Sequence, residues 1–421
     1  MGIMRILLAT TNQAVVGGAE TYLQRLIPAL NDRWHEVAIV YQNRAGGDAE
    51  PVDPPGTEIP IWFWPDLAAN PASWREIDAW KPDVVYSHCP DSLELERLLL
   101  EKYRCILHVH NYWGTCTTGR KCQDFPHPRA CNREFGMACL ALHYPRRCGG
   151  LNPLTALRMF QTHKQRKSRL TSYARILVSS AHMYREYERN SVDPDMLRVV
   201  PYPLTDARLE VAPYQPKDLG GSLLFAGRLT DLKGADYLIR AVPIAAQRLE
   251  RDLRLTVMGD GPERVRLESL AERLQVAAQF TGWLAGDKKL AVMRAAHLLV
   301  VPSRWPEPFG LVGIEAGCLS VPAAAYAIGG IPDWLVPGLN GELAPADPPT
   351  VDGLAEAIVA VLSDTGNYAR LRRGAWEYSR QFTMDKHLDQ LETTFEEALG
   401  VSVRPAAARS DRVAKLARVT H

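Results

Sequence analysis

The 421-residue chain has no long hydrophobic run and no excess of charge of either sign. A stretch of about 18 uncharged apolar residues, the length that crosses a bilayer, does not occur, so we expect no transmembrane helix. The apolar stretch at residues 6–9 is shorter than the core of a secretory signal, which favours a cytoplasmic protein. Lysine and arginine number 49 against 48 aspartates and glutamates, so no overall field attracts nucleic acid and none is expected as a partner.

Two signatures of nucleotide binding are missing as well. No Walker motif occurs, and the glycines at 259 and 261 depart from the G-x-G-x-x-G fingerprint, so dinucleotide-binding and P-loop functions lose support. Hydrophobic residues make up 46% of the chain and charged residues 23%, as in soluble globular proteins. At roughly 100 to 200 residues per domain, the length predicts two or three domains.

Short apolar runs alternate with longer helical patterns in both halves of the chain. The runs lie at residues 5–10, 35–41, 84–88, 105–110, 176–180 and 198–203, and then, after a polar, proline-containing linker at 204–221, at 223–229, 253–258, 280–283, 298–302 and 323–327. This alternation predicts parallel sheets covered by helices. We therefore predict an α/β fold with two Rossmann-like domains, and we expect its ligand in the cleft beyond the carboxyl ends of the strands.

The strongest motif, at residues 304–316, follows the run at 298–302. Its Glu-Pro-Phe-Gly turn predicts a helix that begins near Gly310, where free N–H groups and the helix dipole would form an anion site. Glu307 would precede this helix and Glu315 would lie about one and a half turns inside it. The two carboxylates would then reach different parts of one elongated ligand; the alternative is a helix cap plus a surface glutamate.

Two cations follow the first apolar run of the second half. Arg228 and Lys233 could converge on one polyphosphate, with arginine as a bidentate fork and lysine as a point charge. The alternative is a pair of solvated loop cations. In the first half, Gly17 and Gly18 would let the backbone approach a phosphate, although any tight strand-to-helix turn also favours glycine.

These motifs together resemble those of the retaining GT-B glycosyltransferases of family 4, the glycosyl transferases group 1, across nearly the whole chain. The order and spacing agree for Gly17 with Gly18, Arg228 with Lys233, residues 259–262, and the element from Glu307 to Glu315. The resemblance implies a GT-B fold and an enzyme that moves a hexosyl group from a nucleotide sugar to a hydroxyl of a saccharide, lipid-linked or small-molecule acceptor, with retained configuration. It also implies a role in cell-envelope or polysaccharide biosynthesis and no cofactor or metal for catalysis.

The resemblance further implies the residues of the site. His110 and Glu307 would be catalytic; the choice of His110 over His108 on the same strand rests on the family pattern. The donor nucleotide sugar would be bound by Gly18, Arg228, Lys233, Phe309, Gly310, Leu311 and Glu315. The alternatives to a transferase are a nucleotide-sugar epimerase and a non-catalytic metal-binding interaction module on the same scaffold.

The same resemblance predicts the domain organisation. Residues 1–205 would form the acceptor-side domain, with a cysteine-rich insert near 114–150, and residues 206–384 the donor domain. Residues 385–421 would form a helix that returns toward the first domain, followed by a basic tail at 404–421. Residues 153–170 combine apolar side chains with a basic end, which fits either a peripheral contact with the inner face of a membrane or an ordinary surface helix.

The insert departs from the family pattern because five of the eight cysteines lie in it: Cys116, Cys122, Cys131, Cys139 and Cys148. Without a secretory signal their default state is the free thiol or a metal ligand. No Cys-x-x-Cys pair is present, and the spacings do not match a standard zinc ribbon. A structural zinc ion and reduced thiols that pack a small lid both remain open, and in either case we expect the insert, which follows His110, to help select the acceptor.

Overall fold

The computed structural model describes residues 2–46, 49–53, 58–214 and 216–400. Strands of the first half are β1 (Arg5–Asn12), β2 (Glu36–Asn43), β3 (Ile61–Phe63), β4 (Val84–Ser87), β5 (Cys105–Val109), β6 (Cys122–Gln123), β7 (Arg129–Ala130), β8 (Arg175–Val178) and β9 (Leu197–Val199). Its helices are α1 (Gly18–Asp32), α2 (Trp64–Ala69), α3 (Trp74–Trp80), α4 (Leu93–Lys102), α5 (Met137–Ala141), α6 (Pro153–Arg169), α7 (Ala181–Arg189) and α8 (Ala207–Glu210). Seven of these strands form a parallel sheet in the order β3-β2-β1-β4-β5-β8-β9, and β6 pairs with β7 in a separate antiparallel ribbon.

The second half contains a second parallel sheet. Its strands are β10 (Ser222–Ala226), β11 (Arg254–Met258), β12 (Ala277–Gly282), β13 (Leu298–Val301), β14 (Ala323–Tyr326) and β15 (Gly341–Ala344). Its helices are α9 (Ala235–Leu249), α10 (Arg264–Arg273), α11 (Gly286–Ala295), α12 (Leu311–Cys318), α13 (Val351–Leu362), α14 (Thr365–Ser379) and α15 (Met384–Leu399). The strand order β12-β11-β10-β13-β14-β15 reverses beside β10, where open α/β sheets place their ligands.

The central strands are continuous apolar runs because helices cover both faces of each sheet. In β1, Leu7 and Leu8 are both fully buried, but they belong to different clusters of core residues. Successive side chains of a strand point to opposite faces, so each of these leucines packs under a different helical layer. Leu7 is in register with Ala38 of β2 and Val85 of β4, which places β1 inside the sheet.

The predicted two-sheet α/β architecture is confirmed, and the differences are local. The sequence pattern did not predict the edge strands β3 and β15 or the β6-β7 ribbon, and β9 ends at Val199 instead of continuing to residue 203. The predicted linker at 204–221 is more than a polar connection. It contains α8, and its Leu204, Leu209 and Ala212 are buried, so part of it belongs to the core.

Helix α15 follows the second sheet in sequence but packs on the first half of the molecule. The Arg33 side chain, just beyond α1, donates to Asp389 at 2.6 Å and to Glu392 at 3.1 Å. On the same helix, Phe395 packs edge-on against Tyr86 of β4, with ring centroids 5.2 Å apart. The helix therefore connects the two halves; the basic tail at 404–421 lies outside the described residues.

Helix α6 is the amphipathic segment predicted at 153–170. Leu154 is 76% exposed, as a surface contact would require. The basic end is not a free charged face, because three of its cations bond to groups on other elements, namely Arg166, Lys167 and Arg169. None of the helices in the described part of the chain has the length and apolar character needed to cross a bilayer.

Candidate functional site

The strand-to-helix connections of the two sheets face each other. A Cβ atom built on Gly18, at the start of α1, would lie 3.9 Å from the Leu311 side chain at the start of α12. Nearby, the Tyr112 hydroxyl from the first half donates to the backbone carbonyl of Pro306 at 2.5 Å. The motif residues predicted from the two halves are thus brought to one place at the carboxyl ends of β1 and β13.

Lys233 and Glu307, predicted from separate motifs, form an ion pair in this region. The Lys233 Nζ and Glu307 Oε1 atoms are 2.5 Å apart, and the Ser303 hydroxyl donates to the same carboxylate oxygen at 2.8 Å. Lys233 also lies over the Trp305 ring, 5.1 Å from its centroid. Because Glu307 is only 6% exposed, these two donors replace hydration that its carboxylate loses on burial.

The amino end of α12 is open to an anion. Gly310 precedes the helix with φ of +100° and supplies no side-chain cap to the first turn. The Trp334 indole donates to the Phe309 carbonyl at 2.7 Å and holds this turn in place. Uncapped N–H groups and the positive end of the helix dipole therefore lie at Leu311, beside the connection that carries Glu307.

Glu315, inside α12, is paired with a cation that the sequence pattern did not identify. Lys289 of α11 contacts its carboxylate at 2.8 Å, and the Thr205 hydroxyl approaches it at 3.4 Å. Glu315 is 5% exposed. The predicted surface-glutamate alternative is therefore wrong, whereas nothing in the helical pattern around Lys289 distinguishes it from its exposed neighbour Lys288.

Arg228 lies in the connection after β10, and its side chain is exposed. The connection is packed tightly against the one after β11, since the Gly227 amide donates to the Met258 carbonyl at 3.0 Å. A Cβ atom on Gly259 would lie 1.9 Å from the Gly227 carbonyl oxygen. The glycine at 259 is thus required for close backbone packing that positions the Arg228 loop.

His110 follows β5 and belongs to a hydrogen-bonded aromatic cluster. Its Nε2 atom lies 2.8 Å from Nδ1 of His88, and its Nδ1 atom bonds to the Tyr202 hydroxyl. Burial lowers the pKa of His110 to about 3, so the imidazole is neutral at physiological pH. The sequence pattern missed both partners; Tyr202 lies at the end of the apolar run predicted at 198–203.

The neighbouring His108 differs from His110 in its surroundings. His108 is fully buried and its Nδ1 atom bonds to the Tyr86 hydroxyl at 2.6 Å, whereas His110 is partly exposed. The exposure favours His110 as the residue that reaches a ligand. Ring nitrogens of His88, His108 and His110 lie within 4.8 Å of one another, a spacing that a metal ion could bridge; the bond between His88 and His110 accounts for part of this proximity.

The cysteine-rich insert contacts the second half of the molecule. Its Arg120 side chain lies 3.2 Å from the Asp231 carboxylate, two positions before Lys233. Within the first half, the insert is joined to α7 by a buried ion pair between Lys121 and Glu186, with 2.5 Å between the charged atoms. The insert therefore lies beside the predicted donor-binding loop.

Comparison with known families identifies both halves. The family model described as Glycosyl transferases group 1 matches residues 215–378, and the one described as Glycosyltransferase Family 4 matches residues 16–208. The chain belongs to the group 1 glycosyltransferases. The family predicted from the order of the motifs is thereby confirmed.

Relatives within this family share part of their length with the chain. The D-inositol 3-phosphate glycosyltransferase of Salinispora tropica is 33% identical over 219 residues, which cover 49% of this chain and 45% of the relative. The chain thus matches less than half of the length of that relative.

Solved structures show the fold over nearly the full length. A glycosyltransferase from Rickettsia africae gives a TM-score of 0.69 at 15% identity and covers 96% of this chain and 100% of its own. The Anabaena protein HepE, solved with UDP and glucose, gives a TM-score of 0.63 at 16% identity, with 93% and 99% covered. The predicted GT-B fold is confirmed.

Proposed function

We propose that this protein transfers a hexosyl group from a nucleotide diphosphate sugar to a hydroxyl of an acceptor, with retention of anomeric configuration. The proposal is carried by the meeting of Lys233, Glu307 and the open amino end of α12 opposite Gly18. A cation and preorganised N–H groups at one point suit the charge that develops on a leaving diphosphate. The UDP and glucose bound to the Anabaena protein of the same fold support a nucleotide-sugar donor.

Arg228 and Lys233 would hold the donor diphosphate together with the backbone N–H groups of Phe309, Gly310 and Leu311. When the phosphate arrives, Lys233 exchanges its contact with Glu307 for the phosphate oxygens, and the carboxylate becomes free to accept hydrogen bonds from the sugar. This exchange requires no large movement, since both groups lie at the same strand ends.

Glu315 would accept hydrogen bonds from the ribose hydroxyls. Lys289 orients this carboxylate by an ion pair at 2.8 Å. Gly18 would let the backbone of the first half approach the diphosphate from the opposite side, because it has no side chain in the gap toward Leu311.

His110 acts in this proposal as a neutral hydrogen-bonding group beside the transferred sugar. A histidine whose pKa is lowered to about 3 is a weak base, so we assign the acceptor proton to the leaving diphosphate. The bond between the anomeric carbon and the diphosphate oxygen breaks, the acceptor oxygen bonds to the same face of that carbon, and its proton passes to the diphosphate. No carboxylate is assigned as a nucleophile.

The acceptor side and the location form a second part of the proposal. Contact of the cysteine-rich insert with the donor loop through Arg120 supports a role of the insert in selecting a saccharide, lipid-linked or small-molecule acceptor.

Peripheral contact of a cytoplasmic enzyme with an anionic membrane is supported by a group of exposed side chains. These are Leu151, Leu154 and Leu157, with the exposed Arg158 beside them. Such a location fits cell-envelope or polysaccharide biosynthesis; co-sedimentation with anionic but not with neutral vesicles is the expected result.

A panel of UDP, GDP, ADP and dTDP sugars tests the donor assignment. We expect one nucleotide sugar to raise the melting temperature of the protein, because it binds only the folded state. When an acceptor is present, the same nucleotide sugar should be converted to free nucleoside diphosphate. The Lys233→Ala variant should lose both effects. The control variant Lys288→Ala, which replaces an exposed lysine next to Lys289, should keep them. A lack of binding to all four classes would overturn the proposal, and conversion of the sugar to its epimer without an acceptor would show an epimerase instead.

A further inference from the structure

The insert at residues 114–150 has too few buried apolar side chains to form a hydrophobic core of its own. Over this fully described segment, the buried apolar side chains are those of Cys122 and Phe135. Regular structure is limited to the two-residue strands β6 and β7 and the short helix α5. Chain segments of this kind are commonly stabilised by disulfides or by a metal ion, and all five cysteines of the insert are free thiols.

All five cysteines of the insert line one cavity. Cys116, Cys122, Cys131, Cys139 and Cys148 line a space of about 30 Å³, although they are spread along most of the insert. A space of this size holds a single ion or one or two water molecules. Reduced thiols that only packed a lid would fill such a gap with their own side chains, so their convergence on an open centre points to a ligand.

Four of the five cysteines differ from the fifth in their place in the insert. Cys122 belongs to strand β6 and is buried. Cys116, Cys131, Cys139 and Cys148 lie outside the two strands of the insert and are partly exposed, so packing fixes their side chains less than that of Cys122.

The charge around the cavity suits an anionic centre. Lys121, Arg133 and Arg146 are among the residues that line it, and no aspartate or glutamate of the described part of the chain does so. Four thiolates around a divalent zinc ion carry two net negative charges. Lys121 is already paired with Glu186, so the two arginines are the cations that would stabilise a tetrathiolate site.

Three buried polar groups at the cavity lack partners. Thr115 Oγ1, Thr117 Oγ1 and Gln123 Nε2 are buried without a hydrogen-bond partner, and their residues line the cavity; all three are at least nine-tenths buried. An unpaired buried donor destabilises the folded protein. Thiolate sulfur atoms accept hydrogen bonds far better than thiols, and such donors around a metal site orient its ligands.

We propose that Cys116, Cys131, Cys139 and Cys148 bind one zinc ion in a tetrahedral thiolate site that holds the insert together. A zinc ion requires sulfur atoms about 2.3 Å from the metal. Among the described residues, the only histidine, cysteine or carboxylate group already gathered within 4.8 Å is the histidine cluster, so the thiols must rotate into the cavity on binding. This inference does not depend on the proposed transfer reaction.

Metal analysis of the full-length protein, purified without a metal-affinity column, tests this site. We expect one zinc per chain and, after exchange with cobalt, the visible absorption of tetrahedral cobalt thiolate. Cys131→Ser and Cys139→Ser should lose the metal, whereas the matched controls Cys122→Ser and the distant Cys318→Ser should keep it. Loss in Cys122→Ser with retention in Cys131→Ser would overturn the ligand assignment, and iron with an intense visible absorption would overturn the choice of zinc.

Measurements on the wild-type protein keep the test decisive where a variant does not fold. Removal of zinc by a chelator should lower the melting temperature and expose four additional thiols to a thiol reagent, and added zinc should reverse both changes. Metal-free wild-type protein that shows no rise in melting temperature with zinc would contradict the proposal. Donor binding is measured separately with the nucleotide-sugar panel, so a failure of one proposal leaves the other standing.

Discussion

The Lys233 ammonium and the Glu307 carboxylate lie 2.5 Å apart at the carboxyl ends of the second sheet. Glu307 is nearly buried, with 8% of its side chain exposed, and the lysine covers it from the solvent side with 27% exposed. Removing the cation would leave a desolvated carboxylate with the Ser303 hydroxyl as its remaining donor. The same ion pair therefore stabilises the ligand-free protein and lies where a donor phosphate would bind.

Replacement of the lysine, in Lys233→Met, should destabilise the ligand-free protein by about 1–3 kcal/mol, the usual cost of an unsatisfied buried polar group. The same variant should show no rise in melting temperature with the donor that stabilises the wild type. Urea unfolding measures the first effect and thermal shift measures the second. Lys288→Met is the matched control and should leave both unchanged; wild-type donor binding by Lys233→Met would remove Lys233 from the site.

Glu315 should control recognition of the ribose. In Glu315→Gln, we expect the Kd for the nucleoside diphosphate to rise about tenfold, which corresponds to roughly 1.4 kcal/mol. Calorimetry with the nucleotide identified by the panel and with its 2′-deoxy form separates a direct contact from a general loss of folding. The wild type should prefer the ribonucleotide, and the variant should not. If the variant still prefers it by the wild-type ratio, Glu315 does not contact the ribose.

The fold could be predicted because its strands are buried on both faces and are therefore continuous apolar runs, as in β1 and β13. Edge strands carry a weaker signal. Strand β3 has three residues and β15 reads Gly-Glu-Leu-Ala, so neither has a run long enough to stand out. The packing of α15 on the first half was suggested by the family pattern, whereas its contacts with Arg33 depend on the tertiary structure.

The two carboxylates of the site follow from the motif, but their partners do not. Lys289 comes from a different helix than Glu315, and the two residues before it, Asp287 and Lys288, are equally polar. Tyr202 and His88 contact His110 because β4, β5 and the segment after β9 end at the same edge of the sheet. These contacts depend on the order of the strands in the sheet, and the pattern of a single sequence does not give that order directly.

The histidine cluster predicts how stability depends on pH. In the folded protein burial lowers the pKa of His110 to about 3, while the unfolded chain has the ordinary value near 6.5. Its stabilising contribution is therefore complete above pH 6.5 and is lost as the pH falls toward 3, because the unfolded state binds the additional proton. Between pH 7 and pH 5 the free energy of unfolding should fall by up to about 2 kcal/mol from this residue.

Urea unfolding of the wild type and of His110→Asn across this pH range measures the contribution. The variant should show a smaller dependence on pH than the wild type; His387, whose pKa burial lowers to about 4, contributes to the remaining slope in both proteins. The rate of transfer should show no ionisation of His110 between pH 5 and pH 8. A rate profile with a limb near pH 6.5 that disappears in His110→Asn would show that the residue titrates and would contradict its assignment as a neutral group.

The buried pair between Lys121 and Glu186 predicts strong coupling between the insert and α7. Both side chains are almost completely buried, at 2% and 1% exposure, and the lysine also donates to the carbonyl of Arg133 at 2.6 Å. Lys121→Met should therefore destabilise the protein by about 3–5 kcal/mol, since it breaks a buried ion pair and leaves the buried Glu186 carboxylate to the partly exposed Arg189. The double variant Lys121→Met with Glu186→Met should cost less than the sum of the two single changes.

A nearby pair supplies the control. Arg189 lies 2.9 Å from the same Glu186 carboxylate, but 36% of its side chain is exposed, so water screens the interaction and replaces it when it is lost. Arg189→Met should cost less than about 1 kcal/mol. Free energies of unfolding for the four variants, measured at pH 7, test whether the Lys121 pair is shielded from water. Equal costs for Lys121→Met and Arg189→Met would mean that water reaches the pair and that no buried ion pair holds the insert to α7.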